Sequence, residues 1–279
     1  MTEARVASLH LYPIKGCRGI DLATAEVVTT GLATAGIGDR EWMLVDETGT
    51  FLTQRELPRL ALVSVQVTRD SLRLAAPYMR ECDVPLTMHG NARDVVVWRS
   101  EVRGVDAGDA AAAWLSDWLA REVRLLRFDR NVTRYCNPEY AGDSKAHTMF
   151  ADGYPVLVTT AASLEDLNGR LADRGCEPLP MTRFRPNIVL DGLPPYAEDH
   201  LDTISIGDAV LRCVKPCTRC QVTTTDQATA KVGIEPLRTL GEYRMDARLD
   251  GVTFAMNAIV SNGGTIRTGD AASVTYRFA

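Results

Sequence analysis

Apolar and polar residues alternate with a period of two in many short stretches of this 279-residue chain, and small turn-forming clusters separate the stretches. Successive side chains of an extended strand point to opposite faces, so the pattern predicts strands with one buried face. Strands are expected at Val6 to Tyr12, Arg40 to Asp46, Phe51 to Gln54, Leu60 to Val67 and Asp94 to Trp98. A second set is expected at Asn187 to Leu190, Ala209 to Val214, Gln221 to Thr225, Thr253 to Val260 and Ser273 to Phe278. Glu47-Thr48-Gly49, Asp191-Gly192, Gly207-Asp208, Asn262-Gly263-Gly264 and Gly269-Asp270 supply the turns. Two segments carry helical spacing instead. Asp109 is placed to cap a helix with Ala111, Trp114, Leu115, Trp118 and Leu119 on one face, and Ser163 to cap one with Leu164, Leu167 and Leu171, stopped at Gly175. The expected class is mainly β with peripheral helices (α+β), built as barrels or sandwiches.

With 46% hydrophobic residues the chain is globular, and its length fits two domains or one large β domain. The first helix marks the change of organisation, so a boundary is placed near residues 120–130, giving units of residues 1–125 and 126–279. A net charge of −5 argues against a non-specific nucleic-acid binder, which needs a basic face. Neither an apolar signal core nor a run of roughly 20 apolar residues occurs. The expected protein is therefore cytoplasmic and has no membrane anchor. Trp114 and Trp118 are expected in the core. His10, His89, His147 and His200 stand alone, without metal-ligand spacing.

Seven cysteines cannot all pair within one chain, and in a reducing compartment they remain thiols, ligands or nucleophiles. Cys17, Cys82, Cys136 and Cys176 are scattered, whereas Cys213, Cys217 and Cys220 follow a C-x3-C-x2-C spacing. That spacing matches a radical-enzyme iron–sulfur loop, but such enzymes resemble β/α barrels, too little chain follows Cys220, and Cys213 falls inside a strand pattern. No iron–sulfur cluster is expected. A structural zinc site lacks a second ligand pair. A thioredoxin-like pair should open a helix, whereas Gln221 to Thr225 reads as a strand. Pro216, Thr218 and Arg219 point to a tight exposed loop between strands, in which the Arg219 charge favours a thiolate. Such a thiolate suits a nucleophile or a soft-metal ligand.

Lys215-Pro216-Cys217-Thr218-Arg219-Cys220-Gln221-Val222-Thr223-Thr224-Thr225-Asp226 resembles the signature of the MOSC family, named for the C-terminal domain of molybdenum cofactor sulfurases. Arg183-Phe184-Arg185-Pro186-Asn187-Ile188-Val189-Leu190 resembles its second motif. Asp152-Gly153-Tyr154-Pro155 with Ala162 to Asn168 resembles a third. Tyr12-Pro13-Ile14-Lys15-Gly16-Cys17-Arg18-Gly19 and Gly38-Asp39-Arg40-Glu41-Trp42 are similar to the β-barrel domain that precedes MOSC in amidoxime-reducing proteins. The resemblance implies an N-terminal β-barrel-like domain followed by a MOSC β-barrel domain, with a molybdenum cofactor (Mo-molybdopterin) at their interface. The implied chemistry is independent of pyridoxal phosphate.

Carried over by position, Cys220 is the molybdenum ligand and catalytic residue, and Lys15, Gly16, Arg40, Arg185, Asn187, Thr218 and Arg219 are cofactor contacts. Arginine forks suit a phosphate and an asparagine suits a pterin edge. Gly16 departs from the pattern, since relatives often carry serine there. The resemblance further implies a reductase of N-hydroxylated small molecules, fed by a separate ferredoxin- or flavin-type electron carrier, because no ferredoxin domain is present. Two other readings stay open: a sulfur-carrier or cofactor-delivery protein working through a Cys220 persulfide or thiolate, and a specialised biosynthetic oxidoreductase. Substrate choice is expected from the loops Asn131 to His147 and Gly241 to Val252.

Overall fold

The computed structural model describes residues 3–87 and 90–277, which leaves His89 and the end of the last expected strand outside the described residues. The chain is mainly β. We label as β1 to β7 the strands Glu3–Leu11, Val156–Thr160, Ile188–Asp191, Leu201–Ile206, Ala209–Thr218, Gly251–Asn262 and Ala271–Tyr276. They are neighbours in the order β2-β3-β1-β7-β4-β5-β6, and a further pairing of β2 with β6 closes the sheet into a barrel. Closure satisfies the backbone hydrogen bonds that a free edge would expose. The alternating pattern turns Val6, Leu11, Val158, Ile188, Leu190, Ile204, Leu211, Met256 and Val274 into one buried core. Within it, β2 and β3 run parallel, which requires a crossover. Helix Ala161–Asp173 opens that crossover.

The N-terminal strand β1 lies between β3 and β7, so the first residues of the chain complete a barrel made otherwise from its second half. The next residues build separate sheets. Ala92–Val97, Ser100–Asp106, Arg124–Phe128 and Trp42–Val45 form one, and Ser64–Val67, Ser71–Ala75 and Cys82–Pro85 another. Helix Asp109–Leu119 packs Leu115, Trp118 and Leu119 with Trp42, Leu44, Leu60 and Leu125 in a second core, and Trp114 lies against it as expected. Strand Thr24–Val28 pairs with Gly264–Arg267 and ties the two halves of the sequence together.

Several expectations change for local reasons. Gln221 to Thr225 is not a strand: Gln221–Thr224 is a short 3-10 turn. Thr223 Oγ1 donates to the Cys220 carbonyl and Thr224 Oγ1 to that of Gln221, so the hydroxyls hold the turn closed. The preceding strand β5 runs on to Thr218, so Cys217 and Thr218 end a strand rather than sit in a loop. Register shifts between Cys213 and Lys215 and between Pro216 and Thr218 accommodate a proline that has no N–H to give. Pro58 starts a 3-10 turn, Pro58–Leu62, so the strand expected from Leu60 begins only at Ser64. Phe51 to Gln54 makes only an isolated bridge, between Phe51 and Val45. Asp109 is the first helical residue and not its cap, because Gly108 holds that place and Asp109 instead accepts from Arg124 Nη1 at 2.8 Å. Thr160 caps the second helix, its Oγ1 accepting from Ser163 N at 3.1 Å.

A further cluster lies outside the barrel wall, where the rings of Phe184 and Phe254 stack at 3.9 Å between centroids, both fully buried. Phe184 begins the segment that carries Arg185 and Asn187, so this pair anchors one wall of the cleft described below. Phe254→Ala is expected to lower stability by about 3–5 kcal/mol in urea unfolding, the range for emptying a buried aromatic site. A loss below about 1 kcal/mol would show that the ring is not a core residue.

Candidate functional site

An open cleft runs between the barrel and the N-terminal sheets, with a water-accessible volume of about 140 Å³. Lys15, Gly16, Arg40, Arg185, Asn187, Thr218, Arg219 and Cys220 all line it, although they come from distant parts of the chain. Backbone pairing accounts for the first of these. Arg40 N donates to the Tyr12 carbonyl at 2.7 Å and Lys15 N to the Trp42 carbonyl at 2.8 Å, so the turn after β1 is laced to the segment around Arg40. Gly16 adopts φ +84°, a conformation open to glycine, and its carbonyl accepts from Gln54 Nε2 at 2.6 Å. Arg40 and Arg185 also adopt left-handed backbone angles, φ +47° and +55°. Two strained arginines in one cleft mark a place where the fold holds side chains against local preference.

Both guanidinium groups lie over the Tyr12 ring, each with its carbon 4.3 Å from the ring centroid. Burial pushes the Tyr12 phenol up to about 12 even though Arg185 and Arg40 pull it down. Burial, and then the Arg40 charge, push Arg185 down to about 10, which leaves it charged at neutral pH. Burial also lowers Arg40, but the buried carboxylate of Asp39, which forms an ion pair with it, raises it above its ordinary value overall. Arg40 Nη2 donates to the Arg185 carbonyl at 3.1 Å and Nη1 reaches Asn187 Oδ1 at 3.3 Å. Asn187 is otherwise committed to the barrel: Oδ1 accepts from Leu157 N at 3.0 Å and Nδ2 donates to the His10 carbonyl at 3.2 Å. It therefore positions Arg40 and pins β1 to β2, which leaves the second N–H of its amide for a ligand.

Lys15 is buried, and burial lowers its pKa while its ion-pair partner Asp152 raises it. The Asp152 carboxyl is held well below the usual carboxylate range: burial opposes ionisation, but the Lys15 ammonium and the Trp98 indole N–H outweigh it. Trp98 Nε1 donates to Asp152 Oδ1 at 3.0 Å.

The thiols divide by environment. Cys220 is exposed in the cleft, whereas Cys17, Cys136 and Cys213 are buried. Burial pushes Cys17 and Cys213 up to about 12 and Cys136 up to about 11. Arg219 does not turn to Cys220. Its Nη1 donates to Cys217 Sγ at 2.9 Å and its Nη2 to the Phe184 carbonyl at 2.7 Å. Among the described residues no three His, Cys, Asp or Glu side chains converge to hold a metal ion. His10 pairs with Asp21 at 2.7 Å, away from the thiols.

The MOSC N-terminal beta barrel domain model matches residues 3–122, and the MOSC domain model matches residues 145–273. The chain belongs to the MOSC family. It is 37% identical over 280 residues to mitochondrial amidoxime-reducing component 1 of Mus musculus, covering 95% of this chain and 80% of that protein. It is 36% identical over 278 residues to the Homo sapiens protein of the same name, covering 95% and 81%. Against mitochondrial amidoxime reducing component 2 of Bos taurus it is 32% identical over 281 residues, covering 95% and 81%.

A molybdenum cofactor is the group a MOSC domain implies, and the cleft fits one. Arg185 Nη2 and Arg219 Nε are buried without a hydrogen-bond partner. Unpaired buried donors are costly, so two cationic ones in one cleft point to an anionic, hydrogen-bonding ligand. The exposed Cys220 thiol is a soft ligand for a metal that arrives with other ligands of its own.

The reading from MOSC motifs gave no role to several residues in and behind the cleft. Gln54 and Gln227 hydrogen-bond each other and brace Gly16 and Arg185, with no motif to announce them. Tyr12 and Asp152 stood inside quoted motifs without a role. Neither loop expected to face substrate, Asn131 to His147 nor Gly241 to Val252, lines the cleft; the first folds into a short hairpin and helix Pro138–Ala141, and its Arg134 donates to the carbonyls of Ala151 and Asp152. Leu52 to Arg55, Trp98 and Ala151 to Tyr154 form the walls instead. Among the described residues no helix is long and apolar enough to cross a membrane.

Brief alkylation of the native protein at pH 8, followed by peptide mass mapping, is expected to label Cys220 first. Cys17, Cys136 and Cys213 should stay unlabelled until the protein is unfolded, because burial both shields these thiols and suppresses their thiolates. Early labelling of Cys17 would contradict the closed turn around Lys15 and Gly16.

Proposed function

We propose that this MOSC protein is an oxidoreductase that reduces N-hydroxylated compounds such as amidoximes, with a molybdenum cofactor in the cleft. The observation that supports this reading is the convergence of Lys15, Arg40, Arg185 and Arg219 with an exposed Cys220 thiol on one cleft, with two buried guanidinium nitrogens unpaired. The names of the relatives supply the substrate class. The net reaction breaks an N–O bond and consumes two electrons and two protons, and the oxygen leaves as water. When bound, the cofactor would supply two-electron chemistry at molybdenum, with Cys220 as the protein's ligand.

The chain's own residues do the remaining work. Arg185 and Arg219 offer their unpaired N–H groups to the anionic part of the cofactor, and Arg40 adds charge beside them. Asn187 and Asp39 hold Arg40, while Gln54 and Gln227 hold the Lys15–Gly16 turn and Arg185. Such supports fix the geometry of a site as much as its direct contacts do. The substrate enters at the mouth beside Trp98 and Asp152. On this reading the two electrons come from a separate redox protein.

Purification from a host that makes the cofactor, followed by metal and pterin analysis and an amidoxime reduction assay, tests the reading. Wild type should carry near-stoichiometric molybdenum and turn over. Cys220→Ala should have no measurable turnover, and Arg185→Met should lose about 10- to 100-fold in cofactor content or activity. Molybdenum and pterin absent from wild type, or unchanged turnover in Cys220→Ala, would falsify it. A mass gain of one sulfur atom on the Cys220 peptide, without molybdenum, would favour a sulfur carrier instead.

A further inference from the structure

Trp98 occupies a place that its residue type does not explain. It stands in the two-residue turn between Ala92–Val97 and Ser100–Asp106, where Val97 pairs with Ser100. Its φ is +58°, which glycine adopts freely and a bulky side chain adopts under strain. The indole is 44% exposed, yet it is fixed on three sides. Phe51 lies 5.0 Å away between ring centroids, the Arg55 guanidinium carbon sits 4.6 Å from its centroid, and the indole N–H is bound to Asp152. Phe51 is in turn 5.5 Å from Lys15 Nζ. An aromatic ring held rigidly at a cleft mouth is a stacking surface for a flat ligand.

Arg55 gives that surface a charge. Each of the other cleft cations already holds at least one partner: Lys15 pairs with Asp152, Arg40 with Asp39, Arg185 with the Cys17 carbonyl and Arg219 with Cys217. Among the described residues Arg55 has no carboxylate within ion-pair distance, and its only side-chain hydrogen bond runs from Nε to Thr53 Oγ1 at 3.4 Å. The fork of its Nη atoms is therefore open. A half-buried guanidinium seated over an indole with its fork free is pre-organised for a planar carboxylate.

We infer that Arg55 and Trp98 are specificity-determining residues that favour flat N-hydroxylated substrates carrying a carboxylate. The inference rests on the proposed reductase reading. The carboxylate would take the open fork of Arg55, and the planar body would lie along Trp98, with the N–O group directed inward toward Cys220.

Benzamidoxime and its para-carboxylate analogue, assayed with the holoenzyme, test this. Wild type should prefer the acid by about tenfold or more in kcat/KM, the scale of one charged hydrogen-bonded pair. Arg55→Gln should erase that preference through KM, and Arg55→Lys should retain part of it. Trp98→Gly suits the turn and so should fold, and it should raise KM for both aryl substrates. A titration followed by tryptophan fluorescence provides a readout without turnover. The acid should quench wild type saturably and more tightly than the neutral amidoxime, and this difference should vanish in Arg55→Gln.

Reduction of both substrates with no preference would overturn the inference and leave the reductase reading standing. Reduction of neither would end the reductase reading, and the titration would then decide the role of Arg55. Lower molybdenum content in Arg55→Gln with an unchanged preference would place Arg55 in the cofactor site and overturn the inference.

Discussion

Insertion of β1 between β3 and β7 is the constraint on which the rest of this molecule depends. Those first residues close the barrel and remove two free edges. The strand then delivers the chain, without a long connection, into the turn that carries Tyr12, Lys15 and Gly16. Because Arg40 and Trp42 hydrogen-bond back to Tyr12, Pro13 and Lys15, the same strand also sets the entry of the N-terminal sheets. One set of backbone pairings thus fixes both the barrel and one wall of the cleft.

A buried excess of positive charge is the second organising feature. Arg40 and Arg185 both lie over the Tyr12 ring, and burial together with mutual repulsion lowers Arg185. Gathering like charges opposes folding unless something compensates. Asp39 and Asp152 offset part of it from behind and beside, while the left-handed backbones of Arg40 and Arg185 add strain. A fold that keeps such a cluster is built to receive an anion, and the bound anion would relieve the repulsion. Binding such an anion would therefore stabilise the protein.

Much of the architecture was legible because alternation and turn residues report local geometry. The strands around Val6, Ile188, Val210 and Phe254 lie where the period of two puts them. Legibility failed where side chains compete with the backbone. Thr223 and Thr224 look like strand residues, yet their hydroxyls close a turn beneath Cys220. Pro216 reads as the start of a loop, yet a register shift keeps it in β5. At the site, motif resemblance named Lys15, Arg40, Arg185 and Arg219, while Gln54, Arg55, Gln227 and Trp98 escaped notice because their importance lies in what folding sets beside them.

The sequence alone determined the class of the fold, the separation of Cys213 from the loop thiol Cys220, and four of the charged residues in the cleft, Lys15, Arg40, Arg185 and Arg219. These follow from periodicity and from motif, which are properties of contiguous residues. Only the tertiary structure decided that Arg219 turns to Cys217, that Asn187 serves the barrel backbone, that the cleft walls come from Leu52 to Arg55 and Ala151 to Tyr154, and that Arg55 is left with an open fork. Each of these is an outcome of competition for partners in three dimensions. Hydrogen-bond partners are set by which strands become neighbours when the barrel closes, and no local pattern records that order.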